Sequence, residues 1–327
     1  MNVDTPRRVL LLGATGTIGR ATLSALLARG HHVTCVLRPG VAPALPERTD
    51  TLCTDLTDAA ALARDGFTGG FGTESFDTLV SCMASRTGAP ADAWAVDHAA
   101  HMNALAAARA AGVGHVVLLS AICVQKPLLE FQRAKLAFES ALVESGVDWT
   151  IVRPTAFFKS LSGQVARVAA GKPFLLFGDG LLTACKPISD RDLGAYMADC
   201  VTEPARRNRV LPIGGPGPAL TPRDQGQMLF DLTRQPVRFR QVPVALMDAI
   251  IASLGTLGRV APGLRAKADF ARIGRYYATE SMLVWDAARA RYDADATPET
   301  GTDTLRDHYA ALLRGEAEDD RGAHAVF

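Results

Sequence analysis

The stretch Arg8-Val9-Leu10-Leu11-Leu12-Gly13-Ala14-Thr15-Gly16-Thr17-Ile18-Gly19 decides the fold. An apolar strand, Arg8 to Leu12, runs into three glycines spaced three apart. A helical pattern follows from Ile18 to Ala28, with Gly30 as its stop. Gly13 permits the tight turn, Gly16 lets the backbone approach a pyrophosphate, and Gly19 lets helix and strand pack closely. The helix N-terminus adds free N–H groups and the positive end of its dipole. Dinucleotide binding is therefore expected at Gly13, Thr15, Gly16, Thr17, Ile18 and Gly19. A turn that merely needs glycines is the alternative.

Outward from this loop, strands expected at 32–37, 51–54, 76–81, 115–120 and 149–152 alternate with helices expected at 58–64, 94–111 and 129–145. The strands are near-continuous apolar runs, as parallel strands covered on both faces require. The expected fold class is α/β: a doubly wound, mostly parallel sheet with a smaller C-terminal substrate lobe. Alternation fades after about residue 155, and Pro/Gly punctuation thickens at Gly214-Gly215-Pro216-Gly217-Pro218. The expected division is residues 1–155 for the nucleotide and 156–315 for the substrate, with strands exchanged between the two. Residues 316–327 are expected to form a flexible tail.

Composition narrows the function classes. The chain has 327 residues, 48% hydrophobic and 21% charged, enough apolar content for a large core. A net charge of +1 provides no basic field for nucleic acid. Cys35, Cys53, Cys82, Cys123, Cys185 and Cys200 contain no C-x-x-C pair, so neither a disulfide framework nor an iron–sulfur cluster is expected, and no metal. The opening MNVDTPRR carries an acid and leads straight into a strand, so no secretory leader is expected. Without an uncharged apolar run of about 20 residues, a cytoplasmic location is expected.

The second strand ends Val36-Leu37-Arg38, where an NAD site normally carries an acid for the ribose 2′-OH. Arg38 is a planar cation suited to a 2′-phosphate, so NADPH is expected; an exposed strand-end arginine is the alternative. Arg20 could assist. Asp55, after the third strand, is assigned to the adenine amino group, against an ordinary turn aspartate. Ser81 and Ser120 end the fourth and fifth strands and are placed on the cofactor's side.

Lys135 follows Ser120 by fifteen residues, in a helix. Short-chain dehydrogenases place Tyr-x-x-x-Lys here, but this chain reads Phe131-Gln132-Arg133-Ala134-Lys135. All five tyrosines lie at position 196 or later, and none has a lysine four residues on. The usual phenol acid is absent, which disfavours alcohol and ketone chemistry. Reduction of a carbon–carbon double bond fits better, since the proton goes to carbon. Lys135 is expected to bind ribose and to serve as acid; a solvated helix lysine is the competing account.

The segment Val117 to Lys135 (VLLSAICVQKPLLEFQRAK) resembles the cluster-free, NADPH-dependent divinyl (proto)chlorophyllide 8-vinyl reductases. So do residues 79–88 (LVSCMASRTG) and 151–161 (IVRPTAFFKSL), and Gly178-Asp179-Gly180 followed by Lys186-Pro187-Ile188-Ser189. The wider relatives are atypical short-chain reductases, similar to the NmrA-like and isoflavone-reductase groups. The resemblance implies a Rossmann-type domain and reduction of the 8-vinyl group of a tetrapyrrole to ethyl, in chlorophyll or bacteriochlorophyll biosynthesis. It implies a proton from Lys135, Lys126 or water. Phe131, Phe157 and Phe158 would line an apolar slot for the macrocycle, or else be plain core. Arg153 or Lys159 would meet the propionate, or else Arg153, before Pro154, would simply hold a turn. The apolar segment Val242 to Leu264 would be a lid, a surface resting on a photosynthetic membrane, or a buried helix. An NADP-binding sensor without turnover, an assembly factor and a reductase of a smaller conjugated substrate are the rivals. Oligomeric state stays open.

Overall fold

In the computed structural model, residues 5–65, 67, 75–258 and 261–317 are described. The first half runs β1 (Arg8–Leu12), α1 (Thr17–Ala28), β2 (His32–Leu37), β3 (Thr49–Cys53), α2 (Ala59–Asp65), β4 (Thr78–Ser81), α3 (Pro90–Ala93), a π-helical turn (Trp94–Ala100), α4 (His101–Ala110), β5 (His115–Leu119), α5 (Glu130–Val143) and β6 (Asp148–Pro154). There follow α6 (Phe158–Leu161), α7 (Val165–Ala169), β7 (Phe174–Phe177), α8 (Asp190–Thr202), β8 (Arg209–Ile213), α9 (Pro222–Thr233), β9 (Phe239–Val242), α10 (Val244–Leu257), α11 (Pro262–Thr279), β10 (Val284–Asp286), β11 (Arg291–Asp293) and α12 (Leu305–Arg314).

Seven strands form one sheet in the order β3-β2-β1-β4-β5-β6-β8, every neighbour parallel. The order reverses between β1 and β4, and the crevice at the carboxyl ends of such strands is where α/β sheets bind ligands. Alternation along β1 sends Leu11 into the core shared with α1 and α8, and Leu10 and Leu12 into the core shared with α4 and α5. All three are 0% exposed, which is why the strands read as unbroken apolar runs. This is the mostly parallel, doubly wound α/β sheet expected.

The last sheet strand, β8, arrives after α8, well beyond residue 155. α8 lies so close to α1 that a Cβ on Gly194 would sit 2.5 Å from the Ala21 carbonyl carbon. The segment Asp190–Ile213 is thus part of the sheet layer, while β7 and β9 pair separately in the lobe. The lobe has its own core, in which Phe174, Leu176, Phe230 and Tyr309 are buried.

Several elements differ in their bounds from the sequence pattern. β3 starts two residues earlier than expected and is half-exposed, because it is the sheet edge. The long helix expected at 94–111 begins instead at Pro90 and is interrupted by the π-helical turn. Of the expected tail, residues 318–327 lie outside the described residues. No helix among the described residues is long and apolar enough to cross a membrane.

Candidate active site

The glycine loop closes β1 onto α1. Gly13 has φ +75°, and a Cβ there would meet the Cys82 and Met83 backbone at 2.7 Å. A Cβ on Gly19 would fall 2.0 Å from the Gly13 carbonyl oxygen. Gly16 is different: it is exposed, and the nearest atom to a Cβ would be 3.4 Å away. Gly13 and Gly19 are therefore dictated by the protein's own backbone, and Gly16 leaves an open side. Gly16 is also the N-cap of α1, with no side-chain cap and no acid in the first turn. The helix N-terminus keeps its N–H groups for an outside anion, with Thr15 exposed and Ile18 buried beneath. These features fit a dinucleotide pyrophosphate.

Arg38 follows β2 and is exposed. Asp55 accepts from the Thr57 backbone N–H (2.9 Å) and hydroxyl (2.7 Å). These bonds, with a smaller contribution from Arg38, hold its carboxyl below the usual carboxylate range. Asp55 thus orders its own turn. Arg20 donates to the Thr15 carbonyl at 2.8 Å.

Ser81 and Ser120 are both buried, and their hydroxyls are engaged within the protein. Ser81 Oγ lies 2.8 Å from His101 Nε2. Burial pushes His101 down to about 4, so the ring is neutral. Its Nδ1 donates to the Val96 carbonyl (2.8 Å), leaving Nε2 to accept from Ser81. Ser120 donates to Glu139, which is 4% exposed and also paired with Arg153. Arg153 is therefore engaged by the buried Glu139 carboxylate, its own side chain half-buried.

Lys135 lies on the buried face of α5, in helical register with Phe131 and Glu139. Its side chain is 13% exposed, and Nζ is 3.0 Å from Asp97 Oδ1. Asp97 comes from the π-helical turn, a distortion frequent at functional sites. Its side chain is 0% exposed and accepts from the Ser85 hydroxyl (2.6 Å) and backbone N–H (3.2 Å). Burial alone would raise the Asp97 carboxyl; the Lys135 charge and these hydrogen bonds outweigh it and hold the carboxyl low. Neither Asp97 nor Ser85 was identified from sequence. The signal was an acid and a histidine, Asp97 and His101, four apart in an otherwise alanine-rich helix.

Lys126 is engaged by the lobe: it bonds Glu280 at 2.7 Å and lies 4.7 Å from the Trp285 ring centre. Phe131 (8% exposed) packs with Cys123 and Tyr276. Phe158 (5% exposed) belongs to the lobe core, its ring 5.4 Å from that of His308. Phe157 is half-buried against the sheet core. Tyr277, from α11, packs onto the Phe131 and Cys123 cluster; no local pattern announces a residue so distant in the chain. Lys159 donates to the Thr17 hydroxyl at 2.9 Å. No group of three or more His, Cys, Asp or Glu side chains among the described residues could hold a metal ion.

A glycine loop at the sheet's switch point, with a buried lysine–carboxylate pair near the neighbouring strand ends, defines an NAD(P)H-binding protein of the short-chain reductase type. The NAD(P)H-binding family accordingly matches residues 13–204. The divinyl chlorophyllide a 8-vinyl-reductase of Oryza sativa subsp. indica, a chloroplastic protein, is 48% identical over 98% of this chain and 82% of its own length. That of Arabidopsis thaliana is 46% identical over 94% and 76%. The chain belongs to the divinyl chlorophyllide a 8-vinyl-reductase family. The fold alone is shared with the NADPH-dependent quinone oxidoreductase of Escherichia coli solved with NADPH, at TM-score 0.64 and 17% identity over 93% of this chain and 99% of that one.

Proposed function

We propose that the chain reduces the 8-vinyl group of a divinyl chlorophyllide or protochlorophyllide to ethyl with NADPH, in chlorophyll or bacteriochlorophyll synthesis. Identity of 48% sustained over 98% of the chain carries this proposal and favours turnover over a sensor role. Bound NADPH supplies the hydride. The protein's task is to hold it, exclude water and supply one proton.

In this account the loop Gly13–Gly19 holds the pyrophosphate and Arg38 the 2′-phosphate. Asp55 orders the turn beside the adenine, and the strand ends at Ser81 and Ser120 flank the nicotinamide. Lys135 is the catalytic residue: its ammonium, fixed by Asp97, binds ribose hydroxyls and gives a proton to the inner vinyl carbon. Negative charge spread over the macrocycle removes the need for an oxyanion hole. Phe157 lines the macrocycle slot, with Phe131 and Phe158 supporting it from the core. Residues 1–155 with the returning segment Asp190–Ile213 form the cofactor half, and the remaining lobe the substrate half.

The test is direct. Protein, NADPH and divinyl chlorophyllide should give a small blue shift of the Soret band; bound cofactor without a shift would leave a sensor. Arg38→Ala should raise the Kd for NADPH by about tenfold or more, the size of a charge-assisted contact, and leave NADH unchanged. Equal weakening of both would deny Arg38 the 2′-phosphate.

We also infer peripheral contact with a membrane through α10. None of its residues is buried, and Leu246 (52%), Ile250 (46%) and Leu257 (53%) are exposed beside Phe270. Its acid, Asp248, is paired with Arg275, while Arg265 and Lys267 on α11 are exposed. An apolar face with flanking cations suits an anionic bilayer surface. The protein should co-sediment with anionic vesicles, and Ile250→Glu should release it; absence of wild-type binding would defeat the assignment.

A further inference from the structure

The loop after β4 leaves the sheet at Ser81, at the carboxyl ends of the strands, where such folds bind ligands. It is tied down on both sides of one residue. Before that residue, the Ser85 hydroxyl donates to Asp97 at 2.6 Å, and Asp97 holds Lys135 at 3.0 Å. After it, the Thr87 backbone N–H and hydroxyl donate to Asp92 at 2.9 and 2.8 Å. Gly88 then has φ +65°, and a Cβ there would lie 3.0 Å from Ile273 Cδ1 of α11 and 3.8 Å from the Phe131 ring. The segment Ser85–Gly88 thus runs from the Lys135–Asp97 pair to the aromatic that supports the substrate slot. Between its anchors stands Arg86, exposed. The two acids beside it, Asp92 and Asp97, are turned to the loop and to Lys135. Among the described residues no hydrogen bond or ion pair engages the Arg86 side chain. Arg153 and Lys126, by contrast, already have Glu139 and Glu280.

We propose that Arg86 receives the propionate carboxylate of the tetrapyrrole and so sets which edge of the macrocycle meets Lys135. The proposal rests on assigning 8-vinyl reduction to this site. In such a pigment the ring that bears the propionate is opposite the ring that bears the 8-vinyl group. The residue that holds the carboxylate must therefore stand away from Lys135, yet on an element rigidly joined to it. Arg86 meets both conditions: Asp97 and Ser85 separate it from Lys135 and also tie it there. Its planar guanidinium matches a carboxylate through two parallel hydrogen bonds. The apolar surfaces of Phe131 and Ile273 beside the loop, once covered by the macrocycle, keep water from that pair and strengthen it. Arg86 takes the role for which Arg153 was the candidate from sequence.

The experiment uses the full chain. Quenching of pigment fluorescence gives the Kd for divinyl chlorophyllide and for its propionate methyl ester, in which the carboxylate is masked. Nicotinamide fluorescence gives the Kd for NADPH. Arg86→Gln should weaken the free acid by about tenfold to a hundredfold, the worth of charge-assisted hydrogen bonds, and raise its KM in step. The ester should bind the wild type about that much more weakly than the acid does, and should lose less than about threefold more in Arg86→Gln. The Kd for NADPH should stay within about threefold, since Arg86 is not assigned to the cofactor. Arg86→Lys, which keeps the charge without the fork, should recover part of the loss. If Arg86→Gln weakens acid and ester alike, or weakens NADPH instead, the carboxylate is not its partner and the proposal falls. It falls too if the wild type reduces the pigment and Arg86→Gln binds the acid just as well; the reductase assignment then stands. If the wild type with NADPH neither binds nor reduces the pigment, the reductase assignment fails and the proposal goes with it.

Discussion

Lys135→Ala is expected to cut turnover by about 10² or more, the usual contribution of a positioned proton donor. The loss should fall on kcat more than on the KM for NADPH, because the glycine loop and Arg38 still hold the other end of the cofactor. Burial supports a role beyond solubility. A lysine with a side chain 13% exposed, held 3.0 Å from a fully buried carboxylate, is costly to place unless its charge is used. Steady-state rates followed at the Soret band give the number. An unchanged rate would reduce Lys135 to a counter-ion for Asp97.

Asp97→Ala is expected to lower the unfolding free energy by about 3–5 kcal/mol, because Lys135 keeps its charge and loses the partner that compensates it. Ser85 loses its acceptor as well. In a chain of this size that is a fall in Tm of about 4–7 °C, readable by calorimetry. The double variant Asp97→Asn with Lys135→Met replaces the pair by neutral groups. It should recover most of the stability and none of the turnover, which separates the ion pair's structural part from its chemical one. The acid limb gives a second check. The Asp97 carboxyl is held below its ordinary value of 3.8, so the unfolded chain takes up its proton first. The stability it contributes is present above that value and is lost as pH falls through the lower folded one. Asp97→Asn should therefore show a flatter acid limb, and an unaltered limb would deny the pair its role.

Much of the fold was legible in local pattern. The unbroken apolar strands reported burial on both faces, and the glycine spacing reported a strand–loop–helix turn with its carbonyl-crowded positions at Gly13 and Gly19. Phe131 in place of tyrosine was equally plain. The candidate site was less so. Asp97 sits in a helix whose π-helical turn has no sequence period of its own, and its partner is 38 residues away. Arg153 looked like an outward cation until Glu139, on another element, closed on it. Lys126, close to Lys135 in sequence, is engaged by Glu280 of the lobe.

By itself, the sequence determined the class of fold, the position of the nucleotide loop, the absence of a tyrosine on α5 and the family resemblance. Each of these is written in neighbouring residues, through strand and helix periods and backbone crowding at a turn. The tertiary structure alone decided which charges meet: Lys135 with Asp97, Arg153 with Glu139, Lys126 with Glu280, and Lys159 with the first residue of α1. The physical reason is that a charge pair needs only a few ångströms in space. Chain folding brings that distance about between residues whose sequence separation carries no periodic signal.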